Sequence, residues 1–396
     1  MTNNSQEIQG AGKLTVEAVI GITDIVESMH QTILNIGGLL GETNSNRTKG
    51  ITGLVYSNIR SITKVVGKGL DVSLNQLGER LETSESTSGK EAFLAALNGL
   101  LGDYLAATEN PLAIPMYFRR EGRPLTKAGV AEMIGASNRR IAIMVHGSCM
   151  NDLQWQRQGH DHGATLSRDL GLTPLYLHYN TGLHTSENGR LFAYLLESYL
   201  AESNQPIELV IVAHSMGGLV ARSACYYGEQ FGHAWLNKLQ KLVFLGTPHH
   251  GALLEKGGSW IDKLLEINPY SAPLARLGKV RSSGITDLRY GNVVDEDWQG
   301  QDRFELAGDQ RTAVPLPKEV ACYAIAGTVG NKASKVKDVL IGDGLVTVDS
   351  ALGRHRKPER HLLFLETQQW VGQEMNHFEL LNHPEAYETI KKWLAA

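Results

Sequence analysis

The chain has 396 residues, enough for one large domain with insertions or for two domains, and either leaves room for an extensive apolar core. Its 38 lysines and arginines stand against 42 aspartates and glutamates, so the overall charge draws in no polyanion and nucleic acid is set aside as a partner. The three cysteines, Cys149, Cys225 and Cys322, are scattered and odd in number, which argues against a disulfide framework or a thiolate zinc site and for a reducing compartment.

Met1 to Gly12 is polar and has no basic segment followed by an apolar one, so no signal peptide is expected and the expected location is cytoplasmic. The most apolar early stretch, Leu14 to Leu40, is broken by Glu17, Asp24 and Glu27, short of the roughly 18 to 20 uncharged residues a bilayer span needs. Within it Val16, Val19, Ile20, Val26, Met29, Ile33 and Ile36 fall at helical spacing. The same pattern returns in Val55, Ile59, Ile62, Val66, Leu70, Leu74, Leu77 and Leu81, and a third time from Phe93 through Leu97, Leu101 and Leu105. Residues 1–110 are therefore read as an amphipathic helical region. Three roles suit it: a bundle docked on the rest of the chain, a homo-oligomer contact, or a peripheral surface for lipid or a hydrophobic polymer. Its polar faces are not strongly basic, so attraction to anionic lipid is weak.

From Pro111 short apolar runs alternate with helical ones. Arg140–His146, Pro174–Tyr179, Ile207–Ala213, Lys241–Leu245 and Val320–Ala326 read as strands buried on both faces, with helices at Leu191–Ala201 and Gly217–Tyr227. This rhythm predicts an α/β fold, a mostly parallel doubly wound sheet over residues 111–396, with ligands at the carboxyl ends of the strands. Residues 251–318 read as a cap or lid insertion in which Trp260, Leu264, Leu265, Ile267, Leu274 and Leu277 make an apolar face.

The strongest chemical signal is Val212-Ala-His-Ser-Met-Gly-Gly218, set between a strand and a helix. A turn that sharp leaves no room for side chains two before and two after the serine, and here they are Ala213 and Gly217. Ser215 is the candidate nucleophile, with alanine in place of the more common first glycine.

Together with Val145-His-Gly-Ser148, Leu245-Gly-Thr-Pro-His-His-Gly251 and Gly342-Asp-Gly-Leu-Val346, this passage resembles the α/β-hydrolase superfamily. Within it the likeness is to bacterial lipases and to deacylases related to the one acting on glycosylphosphatidylinositol, and it covers about Ile114 to the C-terminus. The resemblance implies an α/β-hydrolase fold and an oxyanion hole formed by the backbone amides of Ser148 and Met216. It also implies the chain order serine, acid, histidine.

Four histidines lie far enough downstream to follow an acid. His361 opens the apolar run His361–Leu365, read as a strand, and His383 precedes Pro384 as a helix cap. His377, in the loop after that strand, is the preferred base; His355 is the remaining one. For the acid, Asp343 is flanked by glycines and matches the D-G-x-V passage, Asp349 is the rival and is otherwise read as a cap, and Asp338 is third. His160-Asp161-His162 is too tightly spaced to converge on a metal, so neither metal nor cofactor is expected. Cys149 is read as a buried filler and His249-His250 as pocket floor. Asn151, Asp152 and Trp155 are read as pinning the loop after the first strand.

The expected function is a serine esterase or lipase working through Ser215, His377 and Asp343 on a lipid or other hydrophobic small-molecule ester. An acyltransferase, thioesterase or amidase would use the same residues. A non-catalytic lipid-surface or scaffold protein is the reading from another class.

Overall fold

The computed structural model describes residues 88–136, 139–200, 206–252, 281–301, 308–330 and 342–396, together with Leu74, Leu77, Gly78, Leu265 and Leu274. The first expected helix, Leu14–Leu40, lies outside the described residues. Of the second, Leu74, Leu77 and Gly78 are described; they are helical, and both leucines are fully buried.

The third is helix α1 (Ser88–Ala107). It buries Phe93, Leu97, Leu100, Leu101 and Leu105 in the same core as the strands. Its glycines permit very close packing: a methyl on Gly99 would lie 2.2 Å from the Cys149 sulfur, and one on Gly102 would lie 1.8 Å from Asn180 Oδ1. Asn180 Nδ2 donates to the Gly102 carbonyl (2.9 Å), and Ser282 Oγ donates to the Gly99 carbonyl (2.5 Å). This part of the helical region is docked on the remainder of the chain.

Strand β1 (Tyr117–Arg120) pairs antiparallel with β2 (Arg123–Pro124), after which α2 (Lys127–Ala136) leads to β3 (Arg140–Val145). Helix α3 (His162–Leu170), β4 (Thr173–His178), α4 (Thr185–Leu200), β5 (Glu208–His214), α5 (Met216–Phe231) and β6 (Leu239–Leu245) then alternate. Short α6 (Ser283–Asp287), β7 (Ala321–Thr328), short α7 (Val348–Ala351), β8 (Gln369–Gln373) and α8 (Pro384–Ala395) complete the chain. The described strands form one sheet in the order β2-β1-β4-β3-β5-β6-β7-β8, parallel throughout except where β1 meets β2 and β4. Helices flank it.

The β-rich, continuously apolar runs lie at the middle. In β5, Leu209 to Ala213 are fully buried between β3 and β6, as a strand covered on both faces requires. All five expected strands form, with no bound moved by more than two residues.

The segment His361–Leu365 is a correction. Leu362 and Phe364 point inward while Leu363 and Leu365 are 84 % and 65 % exposed, so the alternation is real. It joins no sheet, however: the Leu362 amide donates to the Gly353 carbonyl (2.9 Å). The outer edge of β7 is taken instead by β8, and His377 follows that strand. In the insertion, Leu265 and Leu274 are fully buried in the common core. Among the described residues no helix is long and apolar enough to cross a membrane.

Candidate active site

Strand β5 ends at His214 and helix α5 begins at Met216, so Ser215 alone makes the turn. It does so at φ 54° and ψ −125°, a backbone region costly to any residue with a side chain. Packing holds it there. The Ser215 amide donates to the Leu245 carbonyl (2.8 Å), and its own carbonyl accepts from the Gly218 amide (3.0 Å). A methyl on Gly217 would lie 2.5 Å from the His146 carbonyl oxygen, and one on Gly218 would lie 2.0 Å from Thr247 Oγ1. The glycines are thus needed for the helix to start against the sheet.

Gly342 and Gly344 adopt φ of +58° and +92°, which curls the loop after β7 and points Asp343 inward. Asp343 Oδ1 accepts from the amides of Leu345 (3.0 Å) and Val346 (2.8 Å). Its Oδ2 accepts from His377 Nδ1 at 2.7 Å, both residues being buried. The His377 amide also donates to the Asp343 carbonyl (3.0 Å). With the Nδ1 proton committed to a carboxylate, Nε2 is left as an acceptor, and it is buried without a hydrogen-bond partner. The structure therefore brings Asp343 and His377 together and places Ser215 at the end of β5, separated from β7 by β6, but no hydrogen bond joins Ser215 to His377. Gly246, which follows Leu245, bridges the two halves. A methyl on it would sit 3.1 Å from both Asp343 Oδ2 and His377 Cε1.

The turn after β3 lies against the serine, since a methyl on Gly147 would be 3.0 Å from Ser215 Cβ. Among the described residues the amides of Ser148 and Met216 donate to no group, the latter because it opens a helix. The turn is rigidly held. Cys149 adopts φ 57° with its amide donating to Thr181 Oγ1 (3.1 Å), and Tyr179 OH donates to the His146 carbonyl (2.8 Å). Asn151 and Gln154 form a reciprocal cap, Trp155 is fully buried, and Asp152 Oδ1 accepts from Arg119 at 2.9 Å with His178 Nδ1 3.1 Å away. Burial pushes the Cys149 thiol up to about 12, which keeps it protonated and unreactive.

The rival carboxylates fall elsewhere. Asp349 is half-exposed in the first turn of α7, 3.5 Å from Arg354, and the cap it was expected to supply comes from Thr347. Asp338 lies outside the described residues. His383 caps α8 as expected. Asp161 caps α3 and accepts from Tyr176 OH (2.7 Å). His162 Nε2 bonds the Leu380 carbonyl (2.9 Å), which leaves its Nδ1 to accept from His160 Nε2 (2.7 Å). This triplet is engaged in packing.

Two contributors escaped the motif reading. His214 Nε2 donates to the His377 carbonyl (3.0 Å), although it stood inside the serine motif with no role. Helix α1 packs behind the Cys149 turn; the only signal for that was the Gly99-x-x-Gly102 spacing, which clears one face of a helix.

A strained strand–serine–helix turn, a mostly parallel sheet flanked by helices and a carboxylate–imidazole pair at the strand ends are the features of an α/β-hydrolase fold. Residues 139–313 match the family described as PGAP1-like alpha/beta domain. Among solved structures, the chain is similar to the mature form of a Bacillus licheniformis lipase, at 17 % identity and TM-score 0.42 over 71 % of this chain and 98 % of that one. Lipase B of Aspergillus fumigatus aligns at 12 % identity and TM-score 0.40 over 65 % of this chain and 52 % of its own. A lipase-esterase related protein of Clostridium acetobutylicum aligns at 12 % identity and TM-score 0.36, over 71 % and 98 %. No curated protein sequence matches significantly.

Proposed function

We propose that this chain is a serine carboxylic ester hydrolase, with Ser215 as nucleophile, His377 as general base and Asp343 as its orienting acid. The observation that carries the reading is the 2.7 Å Asp343–His377 contact, which leaves a buried, unpartnered Nε2 in the same cluster as the Ser215 turn. In this mechanism Nε2 takes the Ser215 proton as Oγ attacks the ester carbonyl. It then protonates the departing alcohol, and water releases the acyl group by the same route in reverse. Asp343 fixes the tautomer and stabilises the imidazolium. The Ser148 and Met216 amides, rigid and otherwise unused, are the proposed donors to the oxyanion, each worth about 3 kcal/mol of transition-state stabilisation. A Ser215 rotation that shortens its distance to Nε2 on substrate binding is part of the proposal, since such bonds are often long before substrate arrives. The proposed substrates are small-molecule or lipid esters.

The test is hydrolysis of short-chain p-nitrophenyl esters. Ser215→Ala is expected to abolish turnover, and Asp343→Asn to lower kcat by about 10⁴-fold, while Asp349→Asn leaves it within about twofold, as expected for a half-exposed side chain. Equal rates for the Ser215→Ala and unmodified proteins would sink the proposal. An added alcohol acceptor distinguishes transfer from hydrolysis by its acylated product.

A further inference from the structure

A cleft that shares no residue with the Ser215 site is lined among others by Arg222, His249, His250, Arg311, Val314 and Arg360. Arg222 lies two turns along α5 from the nucleophile and is only 5 % exposed. Its Nη2 donates to the Val314 carbonyl (2.6 Å), its Nη1 lies 3.4 Å from His249 Nδ1, and its Nε has no partner. Among the described residues no carboxylate pairs with it, an unusual state for a buried guanidinium.

The neighbouring imidazole adds a second idle donor. Arginine can only donate, so His249 Nδ1 accepts, and the ring's proton resides on Nε2. That nitrogen is buried with no acceptor. Burial first, and then the Arg222 charge, holds the His249 pKa well below its ordinary value, so the ring is neutral. Arg311 and Arg360 share one carboxylate, reaching Asp309 at 2.9 Å and 2.8 Å. Asp297 already accepts from the amides of Val293 (2.9 Å), Val294 (3.2 Å) and Thr312 (2.7 Å). Three guanidiniums against two carboxylates leave one positive charge in excess, on the residue that lacks a partner.

We propose that this cleft binds a small oxyanion of the phosphate or phosphomonoester class, held by the Arg222 guanidinium and the His249 Nε2–H and rimmed by Arg311 and Arg360. A tetrahedral anion accepts from donors arriving from several elements at once, here α5, the loop after β6 and the segments carrying Arg311 and Arg360. The assignment does not rest on the esterase reading.

Calorimetric titration of the full chain with inorganic phosphate and with glycerol 3-phosphate, at fixed ionic strength, tests it. Binding of either is expected, with affinity reduced at least about tenfold in Arg222→Lys and in Arg360→Gln and unchanged in Ser215→Ala. A preference between the two probes tells free from esterified phosphate. Arg360→Gln replaces a rim side chain, so it reports even if Arg222→Lys fails to fold. No binding of either probe, or equal binding by the unmodified and Arg360→Gln proteins, would overturn the proposal and leave Arg222 as a tie between α5 and Val314.

Discussion

His214 Nε2 donates to the backbone carbonyl of His377 at 3.0 Å, so the residue before the nucleophile grips the main chain of the proposed base. A carbonyl only accepts, which fixes the His214 proton on Nε2. Burial, reinforced by the nearby His377, keeps the ring neutral. The other nitrogen, Nδ1, has no partner and faces Gly147. The ring thus spans the serine turn, the proposed oxyanion turn and the histidine loop without being placed to react.

Removing that grip should loosen the His377 loop and leave the Ser215 turn intact. His214→Ala is expected to lower kcat by about 10- to 100-fold, the cost of misplacing a reacting group by about an ångström, with little change in KM. Steady-state kinetics on a p-nitrophenyl ester measures the split, and an unchanged kcat would show that the contact is incidental.

Helix α1 should behave as part of the core. Gly102→Ala drives a methyl to within 1.8 Å of Asn180 Oδ1 and is expected to cost about 1–3 kcal/mol or more, read as a drop in thermal midpoint. Gly135→Ala, on α2 with nothing within 4 Å of the added methyl, is the matched control and should be neutral or stabilising by up to about 1 kcal/mol. Equal midpoints for the two variants would mean that α1 is only loosely attached.

Acid should unfold the protein early. His146, His162 and His250 are each pushed down to about 3 by burial, and His214 and His249 lie well below their ordinary value for the same reason. In the unfolded chain all five titrate near 6.5. Below that pH the unfolded state binds protons that the folded state refuses, so stability is full above about pH 6.5 and falls as pH drops toward 3. A fully buried histidine contributes up to about 1.4 kcal/mol per pH unit, and several acting together can exhaust a stability of about 5–15 kcal/mol before pH 4. Thermal midpoints at pH 7.5, 6 and 5 should fall progressively; a flat profile to pH 4.5 would contradict the buried neutral state of these rings.

The sheet and the sharp turn at Ser215 were legible because they rest on local sterics. Ala213, Gly217 and Gly218 are small for reasons visible within seven residues, and β5 is apolar because both faces are covered. Asp343 was legible through its flanking glycines, whose positive φ a loop of that curvature requires. His361–Leu365 misled because period-two alternation reports which side chains are buried, not whether the backbone finds a strand to pair with. The places of His214 and Arg222 were illegible because their partners, His377 and Val314, are brought to them only by the sheet and the insertion. No spacing along the chain encodes such a meeting.

The Ser215 amide bonds the Leu245 carbonyl, the Gly246 amide bonds that of Ile325, and the Met375 amide bonds that of Thr328. Ser215, Gly246 and the His377 loop are therefore successive rungs continuing the ladder of β5, β6, β7 and β8. Their separations inherit the lateral pitch of the sheet, about 4.8 Å, rather than the conformations of the loops that carry them. Segments beyond the strand ends, including residues 281–301, can accordingly change in length and lining while Ser215, Asp343 and His377 keep their places.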